Sequence, residues 1–440
     1  MQTEAKENTR YAVVASVQLP GVSDLEFEAS LAELRDLAKT LGFKVARTFT
    51  QKRSAFDAAA YLGLGKREEI RSFVTESEAA DSDTGRVDVL LVDHEISPSQ
   101  ARNLEKEVGC EVRDRTMVIL DIFQRNARSR AARAQVEIAR LQYMAPRLRE
   151  LAKLAGPQGR QRSGTGGRGG GESLTELDKR KIRDRIAELQ QEIAAMDVER
   201  RTQRSRRQER QALASVALVG YTNAGKSTLM RALTGSEVLV EDKLFATLDT
   251  TVRALQPESV PRVLVTDTVG FIRNLPHALV ASFKSTLEEA LDAALLLHVI
   301  DASDPGFERQ LEVTDEVLAE IGAQAVPRIR VFNKIDQVGD AAAQAEREAM
   351  LRAKYPDCIV MSARRNDDVT LLHKAVVAFF QRDLVEAELF LPWSAQKLRG
   401  EIFSSCEVLE ERADGEGVFL RVRGEREAVK GLSEQLSQTS

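Results

Sequence analysis

One stretch of the sequence combines residue types at a spacing that can hold a phosphate. Val216 to Val219 is a short apolar strand running directly into Gly220-Tyr221-Thr222-Asn223-Ala224-Gly225-Lys226-Ser227, the G-x-x-x-x-G-K-[ST] spacing in its required strand, loop and helix context. Glycines are needed there because several backbone N–H groups must turn inward around an anion. A helix starting near Lys226 points the positive end of its dipole at the same place. Lys226 can neutralise β- and γ-phosphates, and the Ser227 hydroxyl suits Mg²⁺, which prefers hard oxygen ligands. An isolated match of this kind can equally be a glycine turn ahead of a helix.

Further segments remove that alternative. Val263 to Thr266 read as a buried strand ending in Asp267-Thr268-Val269-Gly270. Here Asp267 can hold the Mg²⁺ shell, through water, and the Gly270 N–H can meet a γ-phosphate. Arg330 to Phe332 lead into Asn333-Lys334-Ile335-Asp336. A carboxylate at Asp336 can accept two parallel hydrogen bonds from the N1–H and 2-amino group of guanine, a donor pair adenine lacks, so the expected nucleotides are GTP and GDP. Ile359 to Met361 end in Ser362-Ala363-Arg364, whose backbone can close over the base edge. These elements, each at the carboxyl end of an expected strand, coincide with where a doubly wound sheet binds ligands.

A segment that senses the γ-phosphate is expected between the first two elements. Phe245-Ala246-Thr247-Leu248-Asp249 is the candidate, with the Thr247 hydroxyl completing the Mg²⁺ shell only when GTP is bound; Thr250 and Thr251 are the alternatives. Lys226, Thr247 and Gly270 are therefore the residues expected to act in hydrolysis. The position after Gly270, where many GTPases carry a water-orienting Gln, is Phe271. Phenylalanine cannot hold a water, so slow intrinsic hydrolysis stimulated by a partner is expected.

The elements that must position these residues follow from the pattern around them. At 440 residues the chain is too long for one ordinary core. The expected fold class is α/β, with four parts. Residues 1–123 alternate β-rich runs (Ala12 to Val17, Lys44 to Phe49, Val87 to Val92) with helical stretches (Leu31 to Leu41, Ser97 to Val108), as in a small α/β domain with a parallel sheet. Gly63, Gly65 and Lys66 there read as a turn into a helix rather than a phosphate loop. Residues 124–212 form a two-helix coiled hairpin, with Ile182, Ile186, Leu189, Ile193 and Met196 on one stripe. Pro146 is expected to kink its first helix. Residues 213–384 are the P-loop doubly wound sheet, and 385–440 a small α+β module with a strand at Val418 to Val422 and a helix at Glu425 to Leu436.

The formal net charge is −5, but between Arg125 and Arg210 about 22 Lys and Arg stand against about 11 Asp and Glu, making the hairpin strongly cationic. Arg160, Arg162 and Arg168 share its tip with Gly164, Gly166, Gly167, Gly169, Gly170 and Gly171. Such a surface suits phosphate-backbone contacts with structured RNA. No apolar run approaches the about 18 residues of a membrane span, and the polar start lacks a secretory pattern, so a cytoplasmic protein without stable membrane insertion is expected. Cys110, Cys358 and Cys406 are too scattered for a metal motif or disulfide framework and read as small hydrophobes. His298, inside an apolar run, reads as a core residue.

Taken with the runs Ser97-Pro98-Ser99-Gln100-Ala101-Arg102-Asn103-Leu104-Glu105, Arg113-Asp114-Arg115-Thr116, Leu120-Asp121-Ile122-Phe123, Gln142-Tyr143-Met144-Ala145-Pro146-Arg147-Leu148 and Asp267 to Ile272 continuing to Leu275-Pro276-His277, the chain resembles the HflX-type GTPases of the Obg-HflX group. The resemblance covers most of the chain, and Phe271 matches that family's hydrophobic substitution. It implies binding to the large ribosomal subunit and its rRNA, stimulation of the GTPase by ribosomes, and splitting or rescue of stalled or idle ribosomes, notably under stress. A monomer is expected when free. The competing expectations are an assembly factor, or a slow regulatory switch acting on a protein or a non-ribosomal RNA.

Overall fold

A computed structural model describes residues 10–79, 86–154, 174–210, 214–235, 244–245, 248, 250–273, 275, 291–382 and 384–439. The glycine-rich tip, Ala246, Thr247, Asp249, Pro276 and His277 lie outside these residues. The described chain forms two compact units. The first holds the residues up to Met196 with Leu244, Phe245, Leu248, Ile272, Arg273 and Leu275, and the second holds the remainder.

In the first unit, β1 (Arg10–Gln18), β2 (Phe43–Lys52), β3 (Val87–Val92) and β4 (Glu111–Asp114) make a parallel sheet in the order β2-β1-β3-β4. β1 is buried on both faces along most of its length, as its apolar run requires when helices cover the sheet. The covering helices are α1 (Asp24–Thr40), α2 (Leu64–Ala79), α3 (Pro98–Val108) and α4 (Arg115–Asn126). Capping boxes fix two of their starts: Ser23 with Glu26 for α1, and Ser97 with Gln100 for α3. Gly63 precedes α2, its N–H donating to Gln51 Oε1 at 2.9 Å while Lys66 pairs with Glu69, so these residues build a turn as expected.

The strand order reverses between β1 and β3, where an open α/β sheet usually leaves a ligand crevice. Here the protein's own groups fill it. Arg115, 2% exposed, donates to Asp93 Oδ1 at 3.0 Å and to Glu33, and Asp93 Oδ2 accepts from Ser30 Oγ at 2.7 Å.

The hairpin helices are α5 (Arg130–Leu154), which runs through Pro146, and α6 (Leu174–Arg210). Between residues 180 and 196, Ile182, Ile186, Leu189, Ile193 and Met196 are buried or half-buried and the residues between them are exposed, the stripe their spacing predicts. Ile186, Leu189 and Ile193 pack with Ala134, Ile138 and Leu141 of α5. Tyr143 and Arg147 fasten α5 to the end of β4, both donating to Asp114, Arg147 at 2.7 Å.

The second unit contains β5 (Ala214–Gly220), β6 (Thr251–Ala254), β7 (Val263–Asp267), β8 (Leu295–Asp301), β9 (Arg328–Asn333) and β10 (Ile359–Val360) in the order β10-β9-β8-β5-β7-β6. All pairings are parallel except that of the edge strand β6. Helices α7 (Lys226–Thr234), α8 (Phe307–Glu320), α9 (Ala341–Lys354) and α10 (Asn366–Gln381) accompany the sheet. Val216, Leu218, Leu229, Leu297 and Val331 lie in its main core. His298 is 1% exposed, and burial pushes its pKa down to about 3, with Arg328 and Arg330 adding to the shift, so it stays neutral in the core.

The tail is richer than one strand and one helix. β11 (Val385–Pro392), β12 (Cys406–Ala413) and β13 (Gly417–Gly424) form an antiparallel sheet in the order β11-β13-β12, with α11 (Arg399–Ser405) and α12 (Arg426–Thr439). β12 escapes sequence reading because its pairing shifts register between Val408 and Glu410 and its second half is exposed, so no apolar alternation marks it. Cys358 and Cys406 are buried hydrophobes as expected, whereas Cys110 is only half-buried. Among the described residues no helix is long and apolar enough to cross a membrane.

Candidate nucleotide-binding site

The loop between β5 and α7 has the shape its glycines predict. Gly220 (φ +148) lies so close to β8 that a Cβ there would sit 2.2 Å from the Val299 carbonyl oxygen. At Gly225 (φ +96), the N-cap of α7, a Cβ would sit 2.3 Å from Asn333 Nδ2. Both positions demand glycine for space as well as for dihedral angle. Between them Asn223 also turns left-handed and is exposed, while Tyr221, Thr222 and Ala224 are buried.

Lys226 is buried at the start of α7, its Nζ donating to the Tyr221 carbonyl at 2.8 Å and the Gly220 carbonyl at 3.2 Å. Burial pushes its pKa down to about 8; the Asp267 carboxylate opposes that shift and the Lys334 charge adds to it. Ser227 Oγ donates to Asp267 Oδ2 at 2.8 Å, and Asp267 is fully buried at the end of β7. Two hard oxygen donors in contact beside a phosphate loop fit Mg²⁺.

Thr268 Oγ1 donates to the Leu218 carbonyl at 2.6 Å and so ties the end of β7 to β5, with Val269 buried next to it. Gly270 then presses on the phosphate loop: a Cβ there would lie 2.8 Å from Lys226 Nζ and 2.9 Å from Thr222 Cα. Phe271 N donates to the Gly220 carbonyl at 3.1 Å, and Thr222 N donates to the Phe271 carbonyl at 2.7 Å. The Phe271 ring is 1% exposed and packs with Ala217, Val219, Leu296 and Leu318. The side chain at this position is therefore a core residue.

Asn333 joins the remaining loops. Its Nδ2 donates to the Ala224 carbonyl at 3.0 Å, and its Oδ1 accepts from Ala363 N at 2.9 Å. Asp368, in the first turn of α10, accepts from Ser362 N at 2.8 Å, and Ser362 Oγ accepts from Arg364 N at 3.2 Å. Lys334 (φ +61) leads into a short 3₁₀ turn, Ile335–Gln337, that carries Asp336, with Arg364 Nη1 4.0 Å from its Oδ2. The structure thus brings together Gly220 to Ser227, Asp267 to Gly270, Asn333 to Asp336 and Ser362 to Arg364.

Phe245 and Leu248 are buried in the first unit. The Phe245 ring meets Phe123 edge-on at 4.6 Å between centroids, and its carbonyl accepts from Asn126 Nδ2 at 2.8 Å. Thr247, with its neighbours Ala246 and Asp249, lies outside the described residues. Two supporting residues were missed in the sequence, Asp368 and Asp301, the latter ion-paired to Lys334 at 2.8 Å. Asp301 could have been found, since it closes the apolar run of β8 at the same carboxyl edge as the other elements.

This fold and this set of loops define a P-loop GTPase, an enzyme that hydrolyses GTP. Three family models match the chain: a GTP-binding GTPase N-terminal region over residues 28–124, a GTP-binding GTPase middle region over 126–207, and a 50S ribosome-binding GTPase over 215–334. GTPase HflX of Gluconacetobacter diazotrophicus is 51% identical over 462 residues, covering 99% of each chain. GTPase HflX of Caldanaerobacter subterraneus is 39% identical over 96% of this chain and 92% of its own. That of Escherichia coli is 37% identical over 94% and 93%. The chain belongs to the HflX family of GTPases.

Proposed function

We propose that the chain is a GTP-dependent factor that docks on the large ribosomal subunit, splits or rescues stalled or idle ribosomes, and is released after hydrolysis. The observation that carries this reading is the cationic α5–α6 hairpin in a chain whose GTPase region matches a ribosome-binding family. Its arginines supply salt-sensitive affinity for an RNA backbone and its shape supplies selectivity. Co-sedimentation with purified large subunits tests it: binding with a GTP analogue, weakened by salt and lost with GDP, is expected. Equal pelleting with both nucleotides, or none, contradicts it.

At the nucleotide, Lys226 neutralises the β- and γ-phosphates and the Gly270 N–H meets the γ-phosphate. Ser227 and Thr247 would hold Mg²⁺ directly and Asp267 through water; when bound, the ion supplies charge neutralisation along the triphosphate. Asp336 reads the guanine edge, and the Ser362 to Arg364 backbone closes over the base. The remaining members of the phosphate loop, and Phe245 to Asp249 as the switch, complete the set.

The buried lysine makes binding pH-dependent. Its pKa in the free protein is pushed down to about 8, and a bound phosphate raises it again, so above that pH the complex holds more protons than the free protein. Affinity is therefore complete below about pH 8 and falls as pH rises beyond it. Calorimetry of GDP binding from about pH 7 to about pH 9.5 is expected to show weakening affinity with proton uptake. A flat profile contradicts the lowered pKa of Lys226 in the free protein.

A further inference from the structure

Asp301 ends β8 with its carboxylate held by its own loop: Oδ1 accepts from Ser303 N at 2.9 Å and from Ser303 Oγ at 2.6 Å. This leaves Oδ2 aimed at Lys334 Nζ, 2.8 Å away, in a pair whose side chains are only 15% and 17% exposed. Lys334 is itself left-handed (φ +61), and its Cε lies 3.8 Å from where a Cβ of Gly225 would stand, so the stem runs along the phosphate loop. A lysine stem is flexible and ordinarily loses considerable rotamer freedom when ordered. Here both of its ends are fixed, the near one by the Asn333 junction and the far one by Asp301.

We propose that Asp301 is a positioning residue, anchoring Lys334 so that its alkyl stem stands as a preformed wall of the nucleotide site beside Asp336. This rests on the reading of Asn333 to Asp336 as the base-recognition loop. Without the carboxylate, a partly buried ammonium beside Lys226 loses its neutralising partner and the stem leaves the wall. The gain from Asp301 is preorganisation, and it appears as slower release of nucleotide.

The test is release of a fluorescent GDP analogue from the full chain, measured for Asp301→Ala, Lys334→Met and the double variant, with melting curves to confirm folding. Asp301→Ala is expected to speed release about tenfold, the loss of one hydrogen bond to a charged group. Methionine keeps an apolar stem that needs no anchor, so adding Asp301→Ala to Lys334→Met should change nothing further. Equal acceleration in both backgrounds would overturn the anchor, because a merely structural carboxylate acts whatever stands at 334. If Asp301→Ala leaves release unchanged although the unsubstituted chain holds the GDP analogue far more tightly than an ADP analogue, the anchor alone fails; if the unsubstituted chain holds the two analogues equally, the base-loop reading of Asn333 to Asp336 fails with it. Should Asp301→Ala fold poorly, Asp301→Asn, which keeps the shape and an acceptor, should give a smaller acceleration that also vanishes in the Lys334→Met background.

Discussion

Asp336→Asn is expected to weaken GTP binding by about 3–6 kcal/mol, roughly two to four orders of magnitude, while improving binding of xanthosine nucleotides. One carboxylate accepts from the N1–H and the 2-amino group of guanine, each bond being about 1.5–3 kcal/mol when the acceptor is charged, and a neutral amide turns one of them into a donor–donor clash and strips the other of its charge. An amide offers a donor where one of those acceptors stood, and xanthine presents a carbonyl in place of the 2-amino group. The fold should tolerate the change, because Asp336 lies on a short turn and, among the described residues, its carboxylate has only the long contact with Arg364. Calorimetry with GDP and XDP checks it, and an unchanged preference for guanine would remove Asp336 from base recognition.

Phe271→Ala should destabilise the second unit by about 3–5 kcal/mol, since the ring fills a core between sheet and helix and its removal leaves a cavity. The midpoint of denaturant unfolding reads this directly. Phe271→Gln should not produce fast GTP hydrolysis. The position faces Ala217, Val219 and Leu318, so a glutamine there buries an amide in apolar surroundings and cannot orient a water. Faster single-turnover hydrolysis in Phe271→Gln would show that the side chain can turn toward the nucleotide and would contradict this assignment.

Much of the site was legible because phosphate and guanine recognition constrain backbone and spacing together. Gly220 and Gly225 are glycines for contacts of 2.2 and 2.3 Å that any Cβ would make, and such positions announce themselves in sequence. The coiled stripe of α6 was readable for a similar reason, since a helix of that length must alternate between a partner and solvent. Supporting residues are harder to see. Asp301 stands where the apolar run of β8 ends, which marks its position but not its ammonium partner, and Asp368 is a common residue type whose importance comes from the amide that the fold brings to it. The filled crevice of the first sheet was hidden likewise, as Arg115, Asp93 and Glu33 are far apart in the chain. The fate of Phe271 was half visible: its inability to hold a water follows from its chemistry, whereas its burial in the core follows from backbone pairing with Gly220 and Thr222.

Hydrolysis by the purified full chain tests most directly the proposed dependence of this GTPase on the ribosome. Turnover with magnesium should be slow alone, little changed by small subunits, and strongly raised by large subunits or intact ribosomes in a saturable, salt-sensitive titration. Rapid hydrolysis without ribosomes, or a rate that large subunits leave unchanged, would contradict it.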